Sequence, residues 1–126
     1  MKNLGLLLSA MLLASTACTV AWAGTVLYSA PVVKQTGEGL TCVALNVGKS
    51  PHNLQVDVIE VFSNTVLDSE LDQPSPGGIV SASGDGTDGT YCRFTTDGSK
   101  HDIRASAMVQ NLVTGATLSV VPALPQ

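Results

Sequence analysis

Ile103-Arg104-Ala105-Ser106-Ala107-Met108-Val109-Gln110 carries the clearest alternation of apolar and polar residues in the chain. Ile103, Ala105, Ala107 and Val109 alternate there with Arg104, Ser106, Met108 and Gln110. Successive side chains of an extended chain point to opposite faces, so this period of two marks a half-buried β-strand. The same period recurs upstream. In Leu40–Val47 the set Leu40, Cys42, Ala44 alternates with Thr41, Val43, Leu45 and Val47; both sets are largely apolar, which reads as a central strand. In Leu54–Val61 the set Leu54, Val56, Val58 gives way to Ile59 and Val61, a change of phase that predicts a bulge. Thr25–Thr36, Thr65–Leu71, Ile79–Ser83, Thr90–Thr96 and Thr117–Val121 complete the candidate strands, with Pro31 breaking the first or holding it at an edge.

Turn-forming residues separate these runs: Gly37-Glu38-Gly39, Gly48–Pro51, Pro74–Gly78 and Gly84–Gly89. Asp97-Gly98, between two alternating runs, predicts a tight type I′ hairpin that pairs Thr90–Thr96 with Asp102–Gln110. Thr114-Gly115 predicts a similar connection from Asp102–Gln110 to the last strand. Seven or eight short strands with frequent turns indicate an all-β, antiparallel β-sandwich, immunoglobulin-like in outline, with a barrel as the second geometry. The match to a true immunoglobulin domain is poor: no Trp follows Cys42, and Tyr91 directly precedes Cys92.

The chain has 126 residues, is 44% hydrophobic and only 13% charged, and has a formal net charge of −4. One domain fits that length, and a disordered chain would be less apolar and more charged. Six scattered basic residues against ten acidic ones argue against nucleic acid as a partner.

Part of the apolar fraction sits in the first 23 residues. Lys2, the apolar run Leu4–Ala14, and Ala21-Trp22-Ala23 before Gly24 form the three-part pattern of a secretory signal. The apolar run is about 11 residues, short of the roughly 20 needed to span a bilayer, and no later segment is apolar enough. Cys18 is the alternative as a lipidation site, but Ser15 stands where lipoprotein signals carry Leu. The reading is therefore residues 1–23 as signal, 24–126 as a single β-sandwich domain, no membrane span in the mature chain, and a periplasmic or extracellular location. Removing the first 23 of 126 residues leaves 103 and takes away Lys2, which moves the net charge from −4 to −5.

Two cysteines remain after such cleavage, Cys42 and Cys92. An even count in an exported chain predicts a disulfide, and two cysteines allow one pairing. A bridge closing a loop of about 50 residues stabilises by about 4 kcal/mol in the chain-entropy picture. Redox catalysis commonly uses Cys-x-x-Cys and structural zinc needs four ligands; neither set is available.

No residue set is assigned to catalysis, cofactor or metal. Gly84-Asp85-Gly86-Thr87-Asp88-Gly89 has oxygen donors for calcium but lacks the spaced series ending in Glu, so it reads as a solvated loop. His52 and His101 read as surface turn residues; a triad needs nucleophile, base and acid in contact, and no Gly-x-Ser-x-Gly elbow is present. Asp57, Glu60, Asp68, Glu70 and Asp72 read as a solvated strand face that discourages edge pairing. Arg93 and Arg104 fall within strands; if those strands pair, the two share a face with Asp102 or Glu60 in an ion pair that serves the fold.

Leu40-Thr41-Cys42-Val43-Ala44-Leu45-Asn46-Val47-Gly48, Pro76-Gly77-Gly78, Tyr91-Cys92-Arg93-Phe94 and Asp102–Ala107 together resemble a loose group of small exported bacterial β-sandwich proteins of uncharacterised function. The resemblance covers most of Leu40–Val109 and implies export and a disulfide-tied β fold. It carries no activity and no catalytic residues. The functional expectation is a non-catalytic module, not an enzyme, that binds an unknown protein or small ligand outside the cytoplasm. The alternative is a subunit or accessory protein of a surface assembly, and a small hydrolase is the third reading.

Overall fold

The fold is that of a computed structural model, which describes residues 24–85 and 89–125. Residues 1–23, on which the signal and Cys18 expectations fall, and the Gly86–Asp88 part of the aspartate-rich loop lie outside the described residues. Eight strands follow one another: β1 (Thr25–Ser29), β2 (Glu38–Asn46), β3 (Leu54–Glu60), β4 (Val66–Asp72), β5 (Ile79–Gly84), β6 (Thr90–Thr96), β7 (Ile103–Asn111) and β8 (Thr117–Pro125). The described residues contain no helix. Every pairing is antiparallel, in the order β4-β3-β6-β1-β8-β7-β2-β5. The sheet is nearly barrel-shaped. Its two ends come together where the Ser83 N–H on β5 donates to an Asp68 carboxylate oxygen on β4 at 3.0 Å. The side chain of an edge strand thereby occupies a ladder donor that another strand would otherwise use.

The alternation read from the sequence becomes an inside and an outside. On β2, Leu40, Cys42 and Ala44 are fully buried while Thr41, Val43 and Leu45 are half-buried. On β6 the buried set is Thr90, Cys92, Phe94 and Thr96; on β7 it includes Ile103, Ala107 and Val109. Each Val, Leu, Ile or Phe removed from water contributes about 1.5–3 kcal/mol before chain entropy is counted. The register of β3 against β4 shifts between Val58 and Ile59, where the apolar phase changes. β1 ends at Ser29, ahead of Pro31. β2 has a partner on each side, β5 and β7, as its two apolar rows suggest, but its second row is covered only in part.

β2 and β6 share no ladder, yet Cys42 and Cys92 are bonded across the interior with Cα atoms 5.6 Å apart and a sequence separation of 50. Asn46, fully buried at the end of β2, ties the loops below the barrel. Its amide nitrogen donates to the carbonyls of Ser50 and Pro74 at 2.9 Å, and its amide oxygen accepts from Gly48 N–H at 2.9 Å.

The hairpin expected at Asp97-Gly98 does not form. β6 pairs with β1 and β3, and β7 pairs with β2 and β8. Among the described residues positive φ occurs at Asn64, Gly37, Gly77 and Gly115, so neither Asp97 nor Gly98 adopts a type I′ conformation. The physical reason is the Asp97 side chain. It accepts from the Asn53 backbone at 3.0 Å and from the Asn53 amide at 2.7 Å, which binds the end of β6 to the start of β3. The chain then crosses the barrel through a turn closed by Asp102 N–H to the Ser99 carbonyl at 3.0 Å. Thr114-Gly115 does connect two paired strands, β7 and β8, with Gly115 at φ 72 supplying the left-handed turn residue.

Arg93 and Arg104 consequently lie on strands that do not pair, and the shared ion pair expected for them is replaced by a different one. Arg93 stands opposite Asp57 in the β3–β6 register and holds one carboxylate oxygen of Asp57 through Nε at 3.0 Å and Nη2 at 2.9 Å. The other oxygen accepts from Ser69 at 2.6 Å and Gln55 at 3.0 Å. Asp57 is 1% exposed, so it is not part of a solvated strand face. Removing Arg93 would leave that carboxylate buried without its cation. Arg93→Met is therefore expected to cost about 2 kcal/mol, less than a fully buried pair because the guanidinium is itself part-exposed. Arg104→Met, with no carboxylate to strand, is expected to cost under about 0.5 kcal/mol. Urea denaturation of both variants checks this; equal costs would contradict it.

Candidate ligand cleft

The last strand creates the most distinctive surface feature. β8 pairs with β7 from Gln110↔Thr117 to Ser106↔Pro122, then passes to β1, with Ala123–Pro125 opposite Ser29–Leu27. The start of β7, Ile103–Ala105, is left with β2 on one side and no ladder partner on the other. Val47 N–H donates to the Asp102 carbonyl at 2.8 Å, which makes Asn46↔Ile103 a non-hydrogen-bonded pair. The N–H and C=O of Ile103 therefore point away from β2, into the gap that β8 leaves.

An open cleft of about 680 Å³ occupies this place. Its apolar lining comes from Leu27 on β1, Val43 and Leu45 on β2, Ile79 on β5, Ile103 and Ala105 on β7, and Pro122, Ala123 and Pro125 on β8. The polar lining is Lys100, His101, Arg104 and Ser106. Leu27 is 4% exposed and Ile103 2%, so the cleft reaches the core, whereas Ile79 at its outer lip is 61% exposed. The half-covered second row of β2 finds its explanation here: Val43 and Leu45 face the cleft.

Arg104 stands at this cleft and its Nη1 donates to the Ile103 carbonyl at 3.1 Å. Among the described residues no carboxylate lies within ion-pair distance of Arg104 or of Lys100. Arg93 and Lys34 are differently placed. Arg93 is paired with Asp57. Lys34 is 6% exposed and its ammonium donates to the Gly84 carbonyl at 3.2 Å. Burial holds the Lys34 amine below its usual value, and Asp85 nearby opposes that shift.

The two histidines gather at the same end of the molecule without forming a catalytic set. His52 is wedged in the crossing between β6 and β7, with Nδ1 3.5 Å from Asp97 and Nε2 3.7 Å from Asp102. Gly98 packs on its ring so closely that a Cβ there would sit 3.0 Å from His52 Cγ. Ser99 and Asp102 complete a Ser, Asp and His grouping, but the Ser99 hydroxyl donates to Asp102 at 2.9 Å and not to the imidazole. A triad needs the imidazole between hydroxyl and carboxylate, so the order here is wrong for nucleophile activation. His101 is exposed and belongs to the cleft.

The acidic residues also stay apart. Glu60 accepts from Ser63, Asp68 from Ser83, and Glu70 and Asp72 are exposed on β4. No group of three or more His, Cys, Asp or Glu side chains among the described residues is arranged to hold a metal. Cys42 and Cys92 are both in the disulfide and fully buried. The cleft's one trace in the sequence is Pro122 and Pro125, which mark where the last strand changes neighbours.

Comparison with protein-family models, curated proteins and solved structures finds no match.

The crossing turn has a pH dependence. The Asp102 carboxylate lies below its usual value of 3.8, first because Ser99 N–H donates to it, then because the Ser99 hydroxyl does, with His52 and His101 adding to the shift. A depressed carboxylate stabilises the fold above its unfolded pKa, and that contribution disappears as pH falls through the lower folded value. Asp102→Asn is thus expected to be less stable than the wild type at pH 7, with the gap closing as pH falls below about 3.8. Urea midpoints across that range check it; a gap independent of pH would contradict the assignment.

Proposed function

We propose that the chain is an exported, non-catalytic binding module whose binding surface is the cleft between β7 and β8. The observation that carries this reading is the cleft itself: an apolar floor reaching core residues, beside polar groups that do not converge on an acid–base pair. Apolar concavities with a few placed polar groups are the usual form of a ligand site. Export rests on the pattern of Met1–Ala23 and on a disulfide compatible with an oxidising compartment. The resemblance to small exported bacterial β proteins agrees with this location and adds no activity. The two-layer description belongs to the same proposal, with β4-β3-β6-β1 as one sheet, β8-β7-β2-β5 as the other, and the disulfide between them.

A second reading, a subunit of a surface assembly, is favoured by one observation. Ile103–Ala105 has a free edge, and such an edge is where a partner's strand adds to a sheet.

Photo-crosslinking in the envelope of the producing cell tests the proposal. A photoreactive side chain at Ser106, in the cleft, is expected to give a discrete adduct, and one at Ser69, on the outer face of β4, none. Adducts at multiples of the chain's own mass would favour the assembly subunit. No adduct from either position, or the same adducts from both, would contradict the binding module.

A further inference from the structure

We infer that the cleft takes an alkyl carboxylate: a single anionic head on an extended apolar chain. The inference rests on the binding-module reading and names its ligand class. The chain has ten carboxylates and six Lys and Arg residues, yet no carboxylate lines the cleft. Its charged or chargeable lining is Lys100, His101 and Arg104.

Arg104 differs from Arg93 in the respect that matters. Arg93 spends its guanidinium on Asp57 at 2.9 Å, whereas Arg104 is held to backbone only, by the Ile103 carbonyl at 3.1 Å and the His101 carbonyl at 3.5 Å. One nitrogen anchors the planar group, and the remaining N–H donors stay available in the fork geometry that suits a carboxylate. Lys100 adds a second cation in the same cleft.

The rest of the lining suits a chain and not a second head group. Leu45, Ile79, Pro122 and Pro125 offer no hydrogen-bonding side chain. A volume of about 680 Å³ lies within the range that small-molecule sites occupy. An alkyl chain laid along this wall covers apolar surface that is otherwise in water, such as Ile79 at 61% exposure. Its carboxylate meets the cations at the cleft. Nothing covalent is required, and only desolvation and charge pairing drive the association.

The test is isothermal titration of the oxidised protein with dodecanoate, kept below its micelle-forming concentration. Saturable binding at one site per chain is expected. Butanoate, which keeps the head and loses the chain, is expected to give no measurable heat. Dodecyltrimethylammonium, which keeps the chain and reverses the charge, is expected to bind at least tenfold more weakly. Arg104→Gln should weaken dodecanoate binding about tenfold, the worth of one charge-assisted hydrogen bond, and adding Lys100→Gln should weaken it further. Both side chains are exposed, and an unchanged thermal midpoint verifies that the variants fold.

No saturable binding of dodecanoate, equal binding of the ammonium probe, or unchanged affinity in the double variant would each overturn the inference. So would tighter binding of an acidic, apolar peptide, which would assign the free edge of Ile103–Ala105 to strand addition. Failure of the titration together with a specific Ser106 adduct would remove the ligand class alone; failure of both would remove the binding module.

Discussion

The Cys42–Cys92 bridge joins β2 to β6 across the interior, where no hydrogen-bonded ladder does. In the order β4-β3-β6-β1-β8-β7-β2-β5, three strands separate β6 from β2 along the hydrogen-bonded sheet. No ladder bond links them directly, so across the interior they are held by packing and by this covalent bond. The packing is modest in bulk, built mainly from Val, Leu and Ala around a single Phe, Phe94. A domain of this size has about 5–15 kcal/mol of net stability, and a bridge closing about 50 residues supplies about 4 kcal/mol by restricting the unfolded chain.

Charge placement follows from the same economy of core. The carboxylates Asp68, Glu70 and Asp72 lie along β4, one end of the sheet, where unpaired edge groups need protection. Asp68 does this directly by taking Ser83 N–H. Arg93 is consumed by a buried carboxylate and Lys34 by a carbonyl. Of the cations, Lys100 and Arg104 stand at the place where β8 leaves β7, around an apolar floor. An acidic chain thus keeps a basic, apolar recess, the contrast on which the proposed ligand class rests.

Much of the fold was legible in the sequence because alternation is local. Thr90–Thr96 is read and found with the same bounds, and the phase change at Ile59 is a register shift on β3. Partner choice was less legible, because it depends on groups distant in sequence. Asp97-Gly98 has the composition of a hairpin turn, but Asp97 is taken by Asn53, 44 residues upstream, and β6 is drawn to β3. The burial of Asp57 was hidden for the same reason. Its outward phase on β3 predicts solvent, and only the cross-strand position of Arg93, 36 residues away, turns that site into a paired and covered one. The cleft depends on a strand dividing its length between two neighbours, a property of the closed sheet and not of any one segment.

One covalent bond between unpaired strands thus holds both halves of the sheet, and the cleft with them, as a single cooperative unit. Residue-resolved hydrogen exchange of the oxidised and the reduced protein tests it directly. Reduction is expected to lower the protection of core amides on β2, β6 and β7 together, by a common amount of about 4 kcal/mol. Loss confined to residues beside Cys42 and Cys92, with β7 amides around Ala107 unchanged, would contradict it.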